Sequence, residues 1–241
     1  MCGRYTLITP EKILAERFVL DQVPSWSPRY NLGPTQEGLI VRRESTASGR
    51  TATRLRWGLI PHWTHRGSQP SILINARSET AADKPAFRDP FRHRRCLVLA
   101  DGFIEWSRRS GEKMPYHFSM NDGRPFAMAG LWDRWQPDRD AAPVETYAIL
   151  TTSANAVVEP FHDRMPAILD GEACEAWLDP YLVAPTPLTR LLHPFASSEI
   201  RGRPINPRVN SIRHDDPSCL EAPPPPPRPT RPPAAQLDLG I

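Results

Sequence analysis

The second residue of the chain is a cysteine, and at that position a cysteine has chemistry that no internal cysteine has. Met1 ahead of so small a residue is expected to be removed, which leaves Cys2 with a free amine and a free thiol on adjacent carbons. The amine condenses with an aldehyde to an imine, losing water. The thiol then closes onto the imine carbon to give a five-membered thiazolidine. Unperturbed values suit neutral pH: an α-amino group titrates near ~7.7–8.0 and a thiol near ~8.5, against ~10.4 for a lysine amine. An N-terminal cysteine is therefore reactive where a lysine is still protonated. Taken alone, Cys2 is more readily an ordinary residue beside a start codon.

Further positions carry possible chemistry. Glu105 stands between Ile104 and Trp106 in a predicted strand, so it shares a face with Phe103. A carboxylate beside aromatics has a raised pKa and suits general acid or base work; an exposed strand position is the competing reading. His162 lies in Glu159-Pro160-Phe161-His162-Asp163-Arg164-Met165-Pro166, a polar segment boxed by prolines of the kind that positions functional groups, or merely a turn. Asn75 follows the apolar run Ile72–Ile74 and is placed to hydrogen-bond a reacting group. Arg77, two residues on, faces the same side of an extended backbone. Arg4 and Arg77 suit phosphates, although a lone arginine is more often a solvated surface charge.

Composition bounds these readings. A chain of 241 residues with net charge +3 is large enough for a sizeable core and is not strongly basic. Of its 30 Lys+Arg only Lys12, Lys84 and Lys113 are lysines, so the positive charge is almost all arginine. Arginine forks match phosphate oxygens and stack on bases, but arginine-favouring codon usage explains the bias equally well. Cys2, Cys96, Cys174 and Cys219 are far apart, without metal-finger spacing, and read as reduced cytosolic thiols. No apolar run has transmembrane length and Met1 to Pro10 does not resemble a signal peptide, so a soluble, cytoplasmic protein is expected. No metal or organic cofactor is implied.

The elements that must position these residues follow from local pattern. Thr9-Pro10-Glu11 predicts a helix start, with Thr9 as N-cap and an apolar face of Ile13, Leu14 and Phe18 running to about Leu20. Strands are predicted at Leu39–Arg43, Thr53–Ile60, Ile72–Ile74, Cys96–Ala100 and Phe103–Trp106. Tyr116–Met120 and Pro125–Leu131 flank Asn121-Asp122-Gly123, which predicts a hairpin. Thr146–Thr152 is a further strand. Short late helices are expected from an Asp170 cap to Leu178 and from Thr186 to Leu192. The pattern implies an α+β fold, a single domain over residues 2–220 with a curved, mostly antiparallel, barrel-like mixed sheet flanked by a few helices. From Glu221 a proline-rich stretch, residues 221–241, is expected to be an extended tail.

The motifs occur together in an order that resembles a known family. Met1-Cys2-Gly3-Arg4-Tyr5, Tyr30-Asn31 with Pro34, Trp57-Gly58-Leu59-Ile60-Pro61 with Trp63, Asn75-Ala76-Arg77-Ser78-Glu79-Thr80, Arg95-Cys96-Leu97, Gly102-Phe103-Ile104-Glu105-Trp106 and His162-Asp163-Arg164-Met165-Pro166 are similar to the SRAP family of abasic-site processing proteins, over about residues 2–220. The resemblance implies recognition of abasic sites in single-stranded DNA, where the ring-opened sugar is an aldehyde, and a thiazolidine cross-link through Cys2 that shields the lesion. It implies that Asn75 orients the N-terminus and that Glu105 shuttles protons and assists removal of Met1 by the protein itself. It implies that His162 acts on the sugar ring oxygen, in ring opening and in cross-link reversal. Arg4, Arg77 and Arg164 match phosphate-holding positions, Pro34 and Trp63 match an apolar wedge, and Trp106 is taken with them as a DNA contact. The partner implied is abasic single-stranded DNA, bound by a monomer. One departure is the pair His62-Trp63, where the family often has two adjacent aromatics.

Two other classes share part of the pattern. An N-terminal-nucleophile amidohydrolase also uses a cysteine at position two but needs an oxyanion hole and no DNA. A non-covalent single-stranded-DNA-binding module shares the arginines and aromatics but has no need of Cys2.

Overall fold

The structure, a computed structural model, describes residues 2–43, 49–65, 71–107, 113–138 and 140–225. In chain order the elements are β1 (Tyr5–Leu7), α1 (Glu11–Phe18), β2 (Arg29–Leu32), β3 (Glu37–Arg42), β4 (Thr51–Trp57), β5 (Asn75–Arg77), α2 (Arg88–His93), β6 (Arg95–Ala100), β7 (Gly102–Ser107), β8 (Met114–Met120), β9 (Phe126–Trp135), β10 (Val144–Ser153), β11 (Arg164–Pro166), β12 (Ile168–Leu169), α3 (Glu172–Leu178), α4 (Pro185–Arg190) and β13 (Ile200–Pro204). The α+β, barrel-like fold expected from the pattern is what forms. β10, β4, β3, β6 and β9 pair in a ring that returns to β10, with only the β10–β4 pairing parallel. A second, five-stranded sheet runs β13-β8-β7-β1-β2, all antiparallel.

Both faces of the ring are covered, which is why β6 reads as an unbroken apolar run. Ile40, Cys96, Val98, Met128, Tyr147 and Ile149 meet Tyr5, Phe103 and Phe118 of the second sheet. The alternate positions Leu39, Val41, Leu97, Leu99 and Leu150 pack against Leu14 and Phe18 of α1, Phe91 of α2 and Trp177 of α3. The segment carrying Cys2 enters between the two sheets, and Cys2 itself is fully buried in the cluster they share.

Several local expectations need correction. Asn121-Asp122-Gly123 does turn, with Gly123 in the left-handed region at φ 74° and its N–H bonded to the Met120 carbonyl at 3.1 Å, but no hairpin follows. Both edges of β8 are already taken by β7 and β13, so β9 crosses to the ring and pairs with β6 instead. Thr9 does not cap α1; its hydroxyl and amide donate to the Asp101 carboxylate, and the helix stops at Phe18 because Val19 turns left-handed at φ 52°. α3 starts two residues after Asp170, and α4 ends at Arg190. β4 ends at Trp57 because Gly58 adopts φ 125°, where a β-carbon would lie 2.2 Å from the Ile72 Cγ2. Residues 72–74 are not a regular strand; Leu73 bonds both ways with Leu59, and Asn75–Arg77 itself is the strand, parallel to β10.

Residues 221–225 have no regular structure, and the rest of the proline-rich stretch lies outside the described residues. Among the described residues no helix is long and apolar enough to cross a membrane, and no group of His, Cys, Asp and Glu is arranged to hold a metal.

Candidate functional site

The N-terminal segment is held on both sides. Asn75 Nδ2 donates to the Cys2 carbonyl at 2.9 Å, reaching from β5 across to the first residues of the chain. Asn75 is fixed there because Trp57 Nε1 donates to the Ile74 carbonyl at 2.8 Å, and the Ile149 amide of β10 donates to the same carbonyl at 3.1 Å. On the other side β1 pairs with β7, and the ladder continues through the Ile104 amide to the Arg4 carbonyl at 3.0 Å. The next residues along, Gly3 and Glu105, are therefore neighbours across the ladder.

Glu105 and Phe103 share the face of β7 turned toward the ring, as strand alternation predicts, and both are buried. Burial pushes the Glu105 carboxyl up from its ordinary value, and the nearby charge of Asp163 adds to the rise. Cys2 feels Glu105 in turn. Burial pushes its thiol up far above the ordinary range, and the Glu105 charge pushes it further. The expectation that the thiol titrates near its unperturbed value thus fails in this form of the chain. With the sheets closed over it, the sulfur has one neighbour of hydrogen-bonding type among the described residues, the Arg4 carbonyl at 3.7 Å.

His162 reaches the same region on a loop built by Asn155. The Asn155 Oδ1 accepts from the Val157 and Val158 amides at 3.1 Å, and its Nδ2 donates to the Phe195 carbonyl at 2.8 Å. Phe161 anchors the loop on the second sheet, its ring 4.5 Å from Tyr116 and 5.2 Å from Phe118. Tyr116 stands opposite Glu105 on β8. The His162 Nδ1 is 2.9 Å from the Arg164 amide and 2.9 Å from Asp163 Oδ1. A neutral ring satisfies only one of these at a time: accepting from the amide leaves the proton on Nε2, whereas facing the carboxylate needs a proton on Nδ1.

The remaining sequence-predicted residues divide. Arg4 is half-buried beside the Pro34 loop: a β-carbon on Gly33 would lie 3.1 Å from its Nη1, which donates to the Gly3 carbonyl at 2.9 Å. Arg77 is exposed, and together with Trp63, Asn75 and Lys84 it lines an open groove of about 450 Å³. Trp63 is 52% exposed on the turn Pro61–Thr64. Arg164 is differently placed. Its fork makes a bidentate pair with Glu79 at 2.6 and 2.8 Å, which ties β11 to the turn after β5 and leaves little of the side chain exposed. Trp106 points to the opposite face of β7 from Glu105, where it packs with Ile104, Ile205 and Val209, donates to Asn210 Oδ1 at 2.7 Å and lies under Lys113. It is not brought together with Cys2.

Residues absent from the sequence reading hold this arrangement. Asp133 of β9, 1% exposed, accepts from the His62 and Arg134 amides at 2.9 and 2.8 Å and pairs with Arg94 Nε at 3.1 Å, pinning the turn that carries Trp63. Asp215 takes the Tyr30 and Asn31 amides at 2.6 and 2.9 Å, so the Tyr30-Asn31 motif clamps the segment after β13. The strand's one acid, set with Arg134 between Trp132 and Trp135 after a long apolar run, was the available signal for Asp133.

The N-terminal segment is thus held between the two sheets, with the Asn75 amide on the Cys2 carbonyl, the Glu105 carboxyl beside it, and Asn75 also lining the groove of Arg77 and Trp63. The SOS response associated peptidase (SRAP) family matches residues 1–212, and the chain belongs to that family. It is 36% identical over 226 residues to the abasic site processing protein YoqW of Bacillus subtilis, covering 92% of this chain and all of the relative. It is 36% identical over 235 residues to the abasic site processing protein HMCES of Gallus gallus, covering 83% of this chain and 69% of the relative. A crystal structure of a Bacteroides thetaiotaomicron protein superposes with a TM-score of 0.81 at 27% identity, covering 92% of this chain and 99% of that one.

Proposed function

We propose that this protein acts in the response to DNA damage by capturing abasic sites in single-stranded DNA, through a covalent bond to Cys2 exposed by loss of Met1. The observation that carries the reading is the grip on Cys2: its carbonyl is held by Asn75 Nδ2 at 2.9 Å with Glu105 beside it, at the edge of a groove lined by Arg77 and Trp63. The names of the relatives YoqW and HMCES support abasic-site processing.

Met1 is removed by hydrolysis of the Met1–Cys2 bond, consuming one water. The freed Cys2 amine attacks C1′ of the ring-opened sugar, and the carbinolamine loses water to give the imine. The Cys2 sulfur then adds to that carbon, and the thiol proton ends on the ring nitrogen. A thiol kept protonated by burial does not supply a free thiolate, so the proton must be passed on. Glu105, a buried carboxyl beside Cys2 whose pKa burial raises, is the group for that transfer. His162 serves the sugar ring oxygen, delivering a proton as the ring opens.

A mass spectrum of the protein before and after incubation with an oligonucleotide carrying one abasic site tests this. The expected result is loss of Met1, then a denaturation-resistant adduct equal to protein plus oligonucleotide minus one water, located at Cys2. Cys2→Ala should abolish the adduct and leave DNA binding nearly unchanged. An adduct that survives Cys2→Ala refutes the mechanism. A processed N-terminus without any adduct favours the amidohydrolase reading, and ammonia release from glutamine would then be assayed.

A further inference from the structure

Trp63 borders several depressions, of which the proposed capture site uses only one. On one side lies the groove of Asn75, Arg77 and Lys84. On the other, a cleft of about 520 Å³ is bounded by Trp63 and His62 and by α2 with Arg88, Arg92 and His93. Arg88 and Arg92 are one helical turn apart, so their guanidinium groups rise from the same face. Both are exposed, and among the described residues neither makes an ion pair. The acid in this cleft, Asp89, is taken by Arg94. The cleft therefore presents two uncompensated forks beside a half-exposed indole, the pairing of backbone charge and stacking surface that single strands require. It is also rigidly set: the turn carrying His62 and Trp63 is held by Asp133, and Trp135 Nε1 donates to the Thr64 carbonyl at 2.8 Å.

We propose that the cleft between Trp63 and α2 is a second nucleic-acid subsite, in which Arg88 and Arg92 hold backbone phosphates of the strand flanking the lesion, on the far side of Trp63 from Asn75. The inference rests on the capture reading above but concerns residues which that reading does not use. A strand that lies in the Arg77 groove and crosses Trp63 arrives at α2, so the subsite serves one flank of the lesion and not the other.

Three labelled single-stranded oligonucleotides test this, with the abasic site at the centre, near the 5′ end or near the 3′ end. Adduct formation is followed at sub-saturating protein for wild type and for the double variant Arg88→Ala/Arg92→Ala. The variant should capture roughly tenfold more slowly on the central lesion and on one end-lesion strand, and at the wild-type rate on the other, because two phosphate contacts are lost on one flank only. In parallel, anisotropy on an undamaged strand should show the salt slope of log K falling by about 1.4, since each lost contact to a single strand removes about 0.7. Equal slowing on all three strands, or no change in rate and slope, overturns the subsite. Should wild type bind the undamaged strand and form no adduct, the covalent reading fails, and the salt slope alone still decides for or against the cleft.

Discussion

Replacing Asn75 by alanine separates a positioning role from a structural one. The Asn75 Nδ2 donates to the Cys2 carbonyl, while its Oδ1 is buried and, among the described residues, has no hydrogen-bond partner. Truncation therefore deletes one favourable bond and one unsatisfied acceptor together, and the two effects oppose each other in the folding equilibrium. Each is of order 1 kcal/mol, so the net change in stability should stay within about 1 kcal/mol. The reaction has no such offset. A Cys2 carbonyl released from its donor lets the amine and sulfur leave the geometry that closes the ring, and a lost bond of ~1–3 kcal/mol at the reacting residue slows it by roughly fivefold to 150-fold. Single-turnover adduct formation on an abasic oligonucleotide, per folded protein, reads the rate, and urea denaturation reads the stability. Asn75→Asp should be slower still, since it turns a carboxylate oxygen toward the carbonyl. Capture by Asn75→Ala within twofold of wild type would refute the positioning argument. A loss of stability as large as the loss of rate would make Asn75 a structural residue instead.

Other consequences follow from single residues. His117 is buried, with Nε2 at 3.0 Å from the Thr6 hydroxyl, and burial, then Arg203 and Arg201, pull its pKa down to about 3 from 6.5. Below pH 6.5 the unfolded chain takes up a proton that the folded one refuses. Stability should therefore fall with pH toward 3 at up to ~1.4 kcal/mol per unit, and denaturant midpoints of wild type and His117→Gln at pH 7 and 5 should show a smaller drop in the variant. Asp133→Asn sets an amide against donors that now share a carboxylate, at a cost of about 1–3 kcal/mol; hydrogen exchange should show the His62 amide losing protection, and unchanged protection would contradict the pinning of the Trp63 turn. Gly58→Ala places a β-carbon 2.2 Å from Ile72 Cγ2 at φ 125°, costing about 1–3 kcal/mol from backbone strain alone, and a melting temperature equal to wild type would contradict that conformation.

The parts of the site that sequence alone made readable are those whose chemistry is local. The alternation at Phe103-Ile104-Glu105-Trp106 already puts Glu105 on one face and Trp106 on the other, and the structure keeps that division. Asn75 and Arg77 on one side of an extended segment needed only the period of a strand. What local pattern did not reveal is pairing. The turn at Asn121-Asp122-Gly123 has all the residues of a hairpin, yet which edges are free is decided by β7 and β13, far away in sequence. The same holds for Arg164: the family resemblance implies a phosphate ligand there, and only the fold shows Glu79 occupying both arms of its fork. A phosphate at Arg164 would have to displace a bidentate partner, whereas Arg77 makes no ion pair among the described residues.

Burial of Cys2 also bears on the order of bond formation. A thiolate that formed first would have to exist in the apolar cluster shared by Tyr5, Trp57 and Phe103, beside the Glu105 charge, and both burial and that charge oppose it. Under the proposed mechanism the amine attacks first, the imine brings its electrophilic carbon to the sulfur, and the thiol proton leaves as the carbon–sulfur bond forms. Under the proposed mechanism the sulfur is thus protected from reaction until an aldehyde has been bound by the neighbouring amine. Adventitious alkylation of Cys2 should then be slow in the free protein. The selectivity of such a site for aldehydes would come from the sequence of two bonds and not from the reactivity of the thiol.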